Sequence, residues 1–319
     1  MRPVRLIPNK TNIRFVRLFR ICVIVSGVAI IASMALFFAR GLNFGIDFLG
    51  GTMMEVQTPG KADLGTFRRV LGDLGLGEIA LQEFGADNDV LIRIPRQPGD
   101  AKAQLVAVEK VKSTLAGLGQ GKMDYRRVEF VGPKVSGELV EAGTIAVVSA
   151  VFAMLIYIWF RFEWQFSIGA VIALIHDVVL TIGMFTLTRI EFNLASIAAI
   201  LTIVGYSIND TVVVYDRVRE NLRKYKSKSV GEVLDLSINE TLSRTTMTSL
   251  TTLLALFALY FFGGAVISGF TLAMIWGIFV GTYSSIFIAA PLLLWLNPRR
   301  SGEGDKEGDK EEAKEGATS

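Results

Sequence analysis

Little in this chain invites redox or metal chemistry: across 319 residues there is one cysteine, Cys22, and one histidine, His176. Neither a disulfide framework nor a Cys/His metal cluster can be assembled within one such chain. A phosphate-cradling loop is missing too. The nearest approach, GLGQGKM at Gly117 to Met123, has three residues between its glycines and Met after the Lys, where that loop needs four and a Ser or Thr. With no nucleotide site, any work must draw on another energy source. A basic face for nucleic acid is also lacking, since twelve basic side chains meet twelve acidic ones from Gly41 to Gly137. A protein or lipid contact is expected there instead.

What is abundant is apolar: 51% of the residues are drawn from AVILMFWYC, more than a soluble domain with a polar surface carries. Six stretches are long enough for a hydrocarbon layer that needs about 20 apolar residues. They run Ile21 to Ala39, Ala142 to Phe160, Phe166 to Leu187, Phe192 to Tyr215, Thr245 to Phe262, and Phe270 to Leu296. The first follows basic residues, as a signal peptide does, but is longer than a usual h-region and lacks a small-x-small exit before Arg40, so a retained anchor is expected. Lys and Arg in the short flanking segments set the orientation. Arg2, Arg5, Lys10, Arg14, Arg17 and Arg20 precede the first span, and Arg217, Arg219, Arg223, Lys224, Lys226, Lys228 and Arg244 follow Tyr215. Both groups are assigned to the cytoplasm, with Arg299 and Arg300, and every helix parity agrees.

The expected organisation is a basic leader at 1–20, a first span at 21–39, an outer domain at 40–138, a five-helix bundle at 139–298 and a tail at 299–319. The tail mixes Glu, Asp, Lys and Gly without apolar periodicity and is expected to be disordered. Residues 216–243 have an amphipathic rhythm and are expected to form a cytoplasmic helix lying at the inner surface. In the outer domain, Thr52 to Gln57 alternates as a strand and Asp63 to Leu74 recurs at helical spacing. Ile79 to Phe84 and Val90 to Ile94 are short strands around the turn GADND, Ala101 to Leu118 is amphipathic, and Tyr125 to Val131 alternates again. That order is the split βαβ, or ferredoxin-like, pattern. GIDFLGGT, at Gly45 to Thr52, marks its root. Gly50 and Gly51 allow a bulge or positive φ at the strand entry, and Asp47 caps the turn.

Acidic side chains inside a span cost about 2.5 to 3.5 kcal/mol on insertion scales and mark an ion path or a buried pair. Asp177 falls roughly 15 Å into the third span at 1.5 Å per residue, near the mid-plane. Asp210 lies about 7.5 Å from the inner end of the fourth. The fifth span starts inside, so Arg244 reaches nearly the depth of Asp210 and the two are expected to pair. Thr248 and Thr251 share the Arg244 face, widened by Thr245 and Thr252. These hydroxyls either hold water for a proton relay or back-bond to their own helix while the charges pin two helices, and a third reading has Arg244 snorkel to the inner headgroups. His176 and Asp177 are adjacent and point about 100° apart, so only one is expected to face the bundle interior, and Asp177 is the choice. Gly277, Gly281 and Ser285 follow small-xxx-small spacing, a helix-packing signal.

GIDFLGGT, the mid-membrane HDV at His176, GYSINDTVVVYDRVREN from Gly205, and SINETLSRTTMTSLTTLLALFALYFFGG from Ser237 together resemble the SecD/SecF family of the resistance-nodulation-division superfamily. The likeness runs from the first span to the sixth. It implies a membrane α-helical fold of six transmembrane helices, half of such a transporter, with an inserted α+β ferredoxin-like periplasmic domain. It further implies a multi-pass protein of the bacterial inner membrane, both termini cytoplasmic, that pairs with SecD and joins the SecYEG channel and YajC. Such a protein contacts an exported polypeptide and uses the proton-motive force late in export. The family's proton-linked positions fall on Asp210 and Arg244, while Asp177 and Thr248 stay as further relay candidates. No enzyme activity, cofactor, metal, nucleotide or nucleic acid is expected. The alternatives are a proton-coupled exporter of small hydrophobic molecules or lipids, and a scaffold for the channel.

Overall fold

The computed structural model describes residues 11–99, 101–118, 123–296 and 298. The basic positions Arg2, Arg5, Lys10, Arg299 and Arg300, the tail from Ser301 and the middle of GLGQGKM lie outside these residues. Among those described, six helices are long and apolar enough to cross a membrane, and each coincides with one expected span, the fourth starting at Leu194 and not at Phe192.

α1 (Phe15–Arg40) leads to a one-turn helix α2 (Ile46–Leu49) and into the α+β domain, called the outer domain after the side on which Lys and Arg are expected to place it. There β1 (Gly51–Gln57), α3 (Leu64–Gly72), β2 (Ala80–Phe84), β3 (Ala86–Ile94), α4 (Ala101–Ala116) and β4 (Asp124–Val131) follow in the expected strand-helix-strand-strand-helix-strand order. The sheet runs β2-β3-β1-β4 and all its pairings are antiparallel. Met54, Val56, Val90, Ile92 and Ile94 alternate onto one face, where Phe67 and Leu71 of α3 and Val111 and Leu115 of α4 cover them. Burying one such side chain contributes about 1.5–3 kcal/mol, so this compact core holds the domain's shape. The β2–β3 turn is tighter than GADND suggests, with Gly85 at φ 84° and Ala86 already in β3.

The bundle continues with α5 (Pro133–Arg161), α6 (Trp164–Thr188), α7 (Leu194–Lys224), α8 (Val230–Phe262) and α9 (Ala265–Ser284). A π-helical turn at Ser285–Ala289 and α10 (Ala290–Leu296) complete the last span. Pro291 supplies no N–H and crowds the preceding turn, which accounts for the widened backbone just before it. α6, α7 and α9 form the buried centre, whereas α1 and α5 turn most of their apolar surface outward through side chains such as Ile24, Ile31, Phe152 and Phe160. Gly277 and Gly281 of α9 pack directly on Ile203 and Ser207 of α7, as the small-residue spacing led one to expect.

Residues 216–243 do not form a separate surface helix. No breaker follows Tyr215, so α7 runs on to Lys224, and a capping box between Ser229 and Glu232 then starts α8. The polar rhythm lines the contact between the two extensions. Arg217 pairs with Glu240 at 2.6 Å and Asn221 donates to Ser237 Oγ at 3.0 Å.

Candidate functional site

The site is built around α7, whose two ends meet different partners. At the outer end, Asn193 and Ser196 form a capping box. Asp47 Oδ2 accepts from the Leu194 N–H at 3.0 Å, so Asp47 caps α7 from the α2 turn rather than capping its own turn. The cause is proximity: Gly45 N donates to Phe192 O at 2.9 Å and Phe192 N to Asn43 O at 2.8 Å, stitching the root of the outer domain to the α6–α7 link. A Cβ on Gly45 would come against the Glu191 carboxylate, which would have to move to admit it. Gly50 and Gly51 adopt φ of 70° and 119°, so the positive φ expected at the strand entry is present.

Glu191 pairs with Arg93 of β3 at 3.7 Å, and Arg93 also donates to Phe44 O at 3.0 Å. Burial pushes the Glu191 carboxyl above the usual carboxylate range; the Arg93 charge pulls it back and Asp47 pushes it further up. Phe44, Phe48, Phe185 and Phe192 pack ring against ring around this joint. The outer domain is thereby tied to the first turn of α7.

Midway along α7 the pattern reverses. Asp210 stands fourteen residues before the end of α7 and Arg244 fourteen after the start of α8, so the antiparallel helices bring them to one depth. Asp210 is only 3% exposed and its Oδ2 has no hydrogen-bond partner in the protein. Arg244 lies within electrostatic reach, but the two are not in ion-pair contact, which requires 4.0 Å or less. The expected pair is therefore open, because the Arg244 side chain turns to the exposed side of α8. Thr248 donates to Thr245 O at 2.8 Å and Thr251 to Met247 O at 2.9 Å, so both back-bond to their own helix. Thr245 does not: its hydroxyl is buried without a partner, as is that of Tyr206 on α7. Buried polar atoms are nearly always satisfied, so each of these open groups is a place where water or a proton can be accommodated.

His176 and Asp177 correct the expectation that one would face away. Both are buried, at 2% and 0% exposure, and their side chains hydrogen-bond each other at 2.8 Å. Asp177 Oδ2 also accepts from Ser207 of α7 at 2.5 Å and Ser284 of α9 at 2.8 Å. A helical separation of 100° does not prevent a carboxylate from reaching back to a neighbouring ring when three helices surround both. Among the described residues no group of three or more His, Cys, Asp or Glu side chains is arranged to hold a metal ion.

Two family models match. Residues 35–58 match the SecD/SecF GG motif, and residues 110–299 match the protein export membrane protein SecD/SecF C-terminal model. The chain belongs to the SecD/SecF family. The protein translocase subunit SecF of Rickettsia bellii strain OSU 85-389 is 49% identical over 294 residues, covering 91% of this chain and 95% of that relative. SecF of Rickettsia akari is 47% identical over 301 residues, covering 93% and 96%. A crystal structure of SecDF from Thermus thermophilus superposes with a TM-score of 0.81 at 36% identity over 93% of this chain. This SecF-type chain spans only 40% of that SecDF chain. A second SecDF structure, in a super-membrane-facing form, superposes at 0.65 with 35% identity over 95% of the chain. At nearly equal identity the two SecDF structures therefore fit this fold to different degrees. The family's fold, a six-helix membrane bundle carrying a small α+β domain, is the one described above, and the chain is a multi-pass membrane protein.

Proposed function

We propose that this chain is the SecF-type subunit of a bacterial protein-export complex and couples inward proton movement to the late stages of polypeptide translocation. The observation that carries the reading is Asp210, a buried carboxylate with an open oxygen on the helix whose outer end is tied to the outer domain. In this reading Asp210 takes a proton from the outer side, loses its attraction to Arg244, and releases the proton inward after the bundle shifts. A proton falling through 100 mV contributes about 2.3 kcal/mol, which biases a two-state equilibrium roughly 50-fold. α7 carries that bias to Asp47, Glu191 and the outer domain, which holds an emerging chain against backsliding. No covalent step is required, and the chain acts without enzyme activity of its own.

The fit to 40% of a SecDF chain supports a SecD-type partner for the remainder. SecYEG and YajC complete the proposed assembly in the bacterial inner membrane, with both termini cytoplasmic on the distribution of Lys and Arg. The test is Asp210→Asn in cells under an imposed proton gradient, with secretion measured directly. The expected result is loss of the gradient-dependent part of export. Normal export overturns the reading; if drug sensitivity is altered as well, an exporter of small molecules replaces it, and if nothing changes, a scaffold does.

A further inference from the structure

A second buried network lies where α1, α6, α7 and α9 meet, and the Asp210 relay does not use it. His176 Nδ1 faces Asp177 Oδ1 at 2.8 Å, and His176 Nε2 faces Ser26 Oγ of α1 at 3.1 Å. Ser26 Oγ is 3.0 Å from Tyr283 OH of α9, and that hydroxyl also reaches Cys22 O at 3.1 Å. Asp177 further accepts from Ser207 and Ser284, and Ser207 is held in place by Gly281, where even a Cβ would come within 3.0 Å of it. An ionised carboxylate is acceptor-only and can take all three donors, which places the ring proton of a neutral His176 on Nδ1.

Counting hydrogens along the rest of the chain separates two states. With Nε2 bare, two hydroxyl hydrogens serve three contacts: Ser26 donates to Nε2, and Tyr283 donates either to Ser26 or to Cys22 O, leaving the other contact unfilled. In the other, Tyr283 donates to Cys22 O and Ser26 donates to Tyr283, so Nε2 must itself carry a hydrogen to donate to Ser26. The two differ by a single proton on the imidazole and by the turning of the Ser26 hydroxyl, and only the protonated state fills all three contacts, with the Tyr283 hydroxyl fixed on Cys22 O. No other bond forms or breaks. The uptake turns a neutral ring beside a carboxylate into an imidazolium–carboxylate pair, so the buried net charge falls from one negative to none.

We propose that His176 and Asp177, with Ser26 and Tyr283 as hydroxyl partners, form a second proton-holding site in the bundle, distinct from Asp210. The ionisable groups facing it are Tyr283 from α9 and Cys22 from α1. α7 presents Ser207, with Asp210 three residues further along the same helix. The π-helical turn and α10 contain no ionisable residue, and α5 has none between Glu141 and Tyr157. Because the site joins α1 and α9 to α6, its proton state acts on helices that Asp210 and Arg244 do not join.

His176 is the only histidine in the sequence, so ¹⁵N-histidine labelling of the full chain in lipid bilayers gives one ring to observe. Across about pH 5 to pH 9, a range that brackets ordinary histidine titration, the ring nitrogens are expected to pass from singly to doubly protonated. One unchanged form across that range overturns the proposal. Asp177→Asn removes the counter-charge and should lower the doubly protonated population at least about tenfold, the equivalent of one pH unit. Tyr283→Phe, which preserves the ring packing, should lower it about threefold, or half a unit; no change there overturns the turning of Ser26 toward Tyr283. In Asp210→Asn the His176 transition is expected to persist even where gradient-dependent export is lost. Its disappearance in that variant makes the two acids one site and overturns a separate one.

Discussion

α7 is treated differently on its two sides. Its outer end and its α9 face are closed: Asp47 caps Leu194, Glu191 is paired, and Gly277 and Gly281 let the α9 backbone come up against Ile203 and Ser207. Toward α8 it is open, with Asp210 Oδ2, Tyr206 OH and Thr245 Oγ1 buried and unpartnered and Arg244 out of ion-pair contact. Closed contacts fasten α7 to α9 and to the outer domain, while the open side is where a small change of charge has the most to gain. An unpaired polar group is costly in a low-dielectric interior, so the open side has that cost to relieve.

The largest effect is expected on the closed side. Gly277→Ala places a methyl against Ile203, a stiff β-branched side chain with no room to yield. Overpacking of this kind costs about 1–3 kcal/mol, so thermal unfolding in detergent should drop by several degrees. An unchanged transition would show that α7 and α9 are not rigidly joined. Next in size is Asp47→Ala, which leaves the Leu194 N–H without its cap at a cost of about 1 kcal/mol. Spin labels on β3 and α6 should then give a broader distance distribution, because the outer domain has lost a tie to α7. A distribution as narrow as that of the parent protein would mean that the aromatic joint holds the domain alone.

Much of this contrast is legible in the sequence, and the part that is not has a physical cause. Periodicity finds the spans and the order of the outer domain, since both depend on local burial patterns. Depth arithmetic finds Asp210 and Arg244 at one level, and the glycine spacing finds the α9 contact. What escapes is pairing between distant segments. Nothing local tells Asp47 to cap Leu194, 147 positions away, or Glu191 to meet Arg93. The roles of Ser207, Ser284, Ser26 and Tyr283 around His176 likewise depend on how four helices close. The only signal for them is that each is a polar residue within an apolar span. The helical continuation through Tyr215 was readable from the absence of any Gly or Pro there, but amphipathic rhythm pointed more strongly to a surface helix.

A smaller effect tests whether the closed joint is also free of electrostatic strain. Burial raises the folded-state proton affinity of Glu191, so the carboxyl favours the folded state below its unfolded value and loses that contribution as pH rises through the raised folded value. Glu191→Gln keeps the shape without the charge. Relative to the parent protein, the variant should gain stability as pH rises above the ordinary carboxylate range and show no gain below it. A variant that is less stable at neutral pH would mean that the Arg93 pair outweighs the cost of burial, making the joint tighter than its geometry indicates.

The smallest expected effect is the most discriminating. If Asp210 and Arg244 pinned α7 to α8 as a buried ion pair, removing one partner would cost about 3–5 kcal/mol, because the other charge would be left buried alone. The open geometry argues otherwise: Arg244 is exposed, Asp210 Oδ2 has no donor, and inner-end ties such as Arg217 to Glu240 already hold the two helices. Asp210→Asn should therefore leave the unfolding transition unchanged or raise it, shifting stability by no more than about 0.5 kcal/mol in the unfavourable direction, the range of a site with no partner to lose. A fall of several kcal/mol would identify the acid as a fastener. An unmoved transition, alongside lost gradient-dependent export, leaves a residue that the fold does not need for its strength, whose value lies in the charge it can give up.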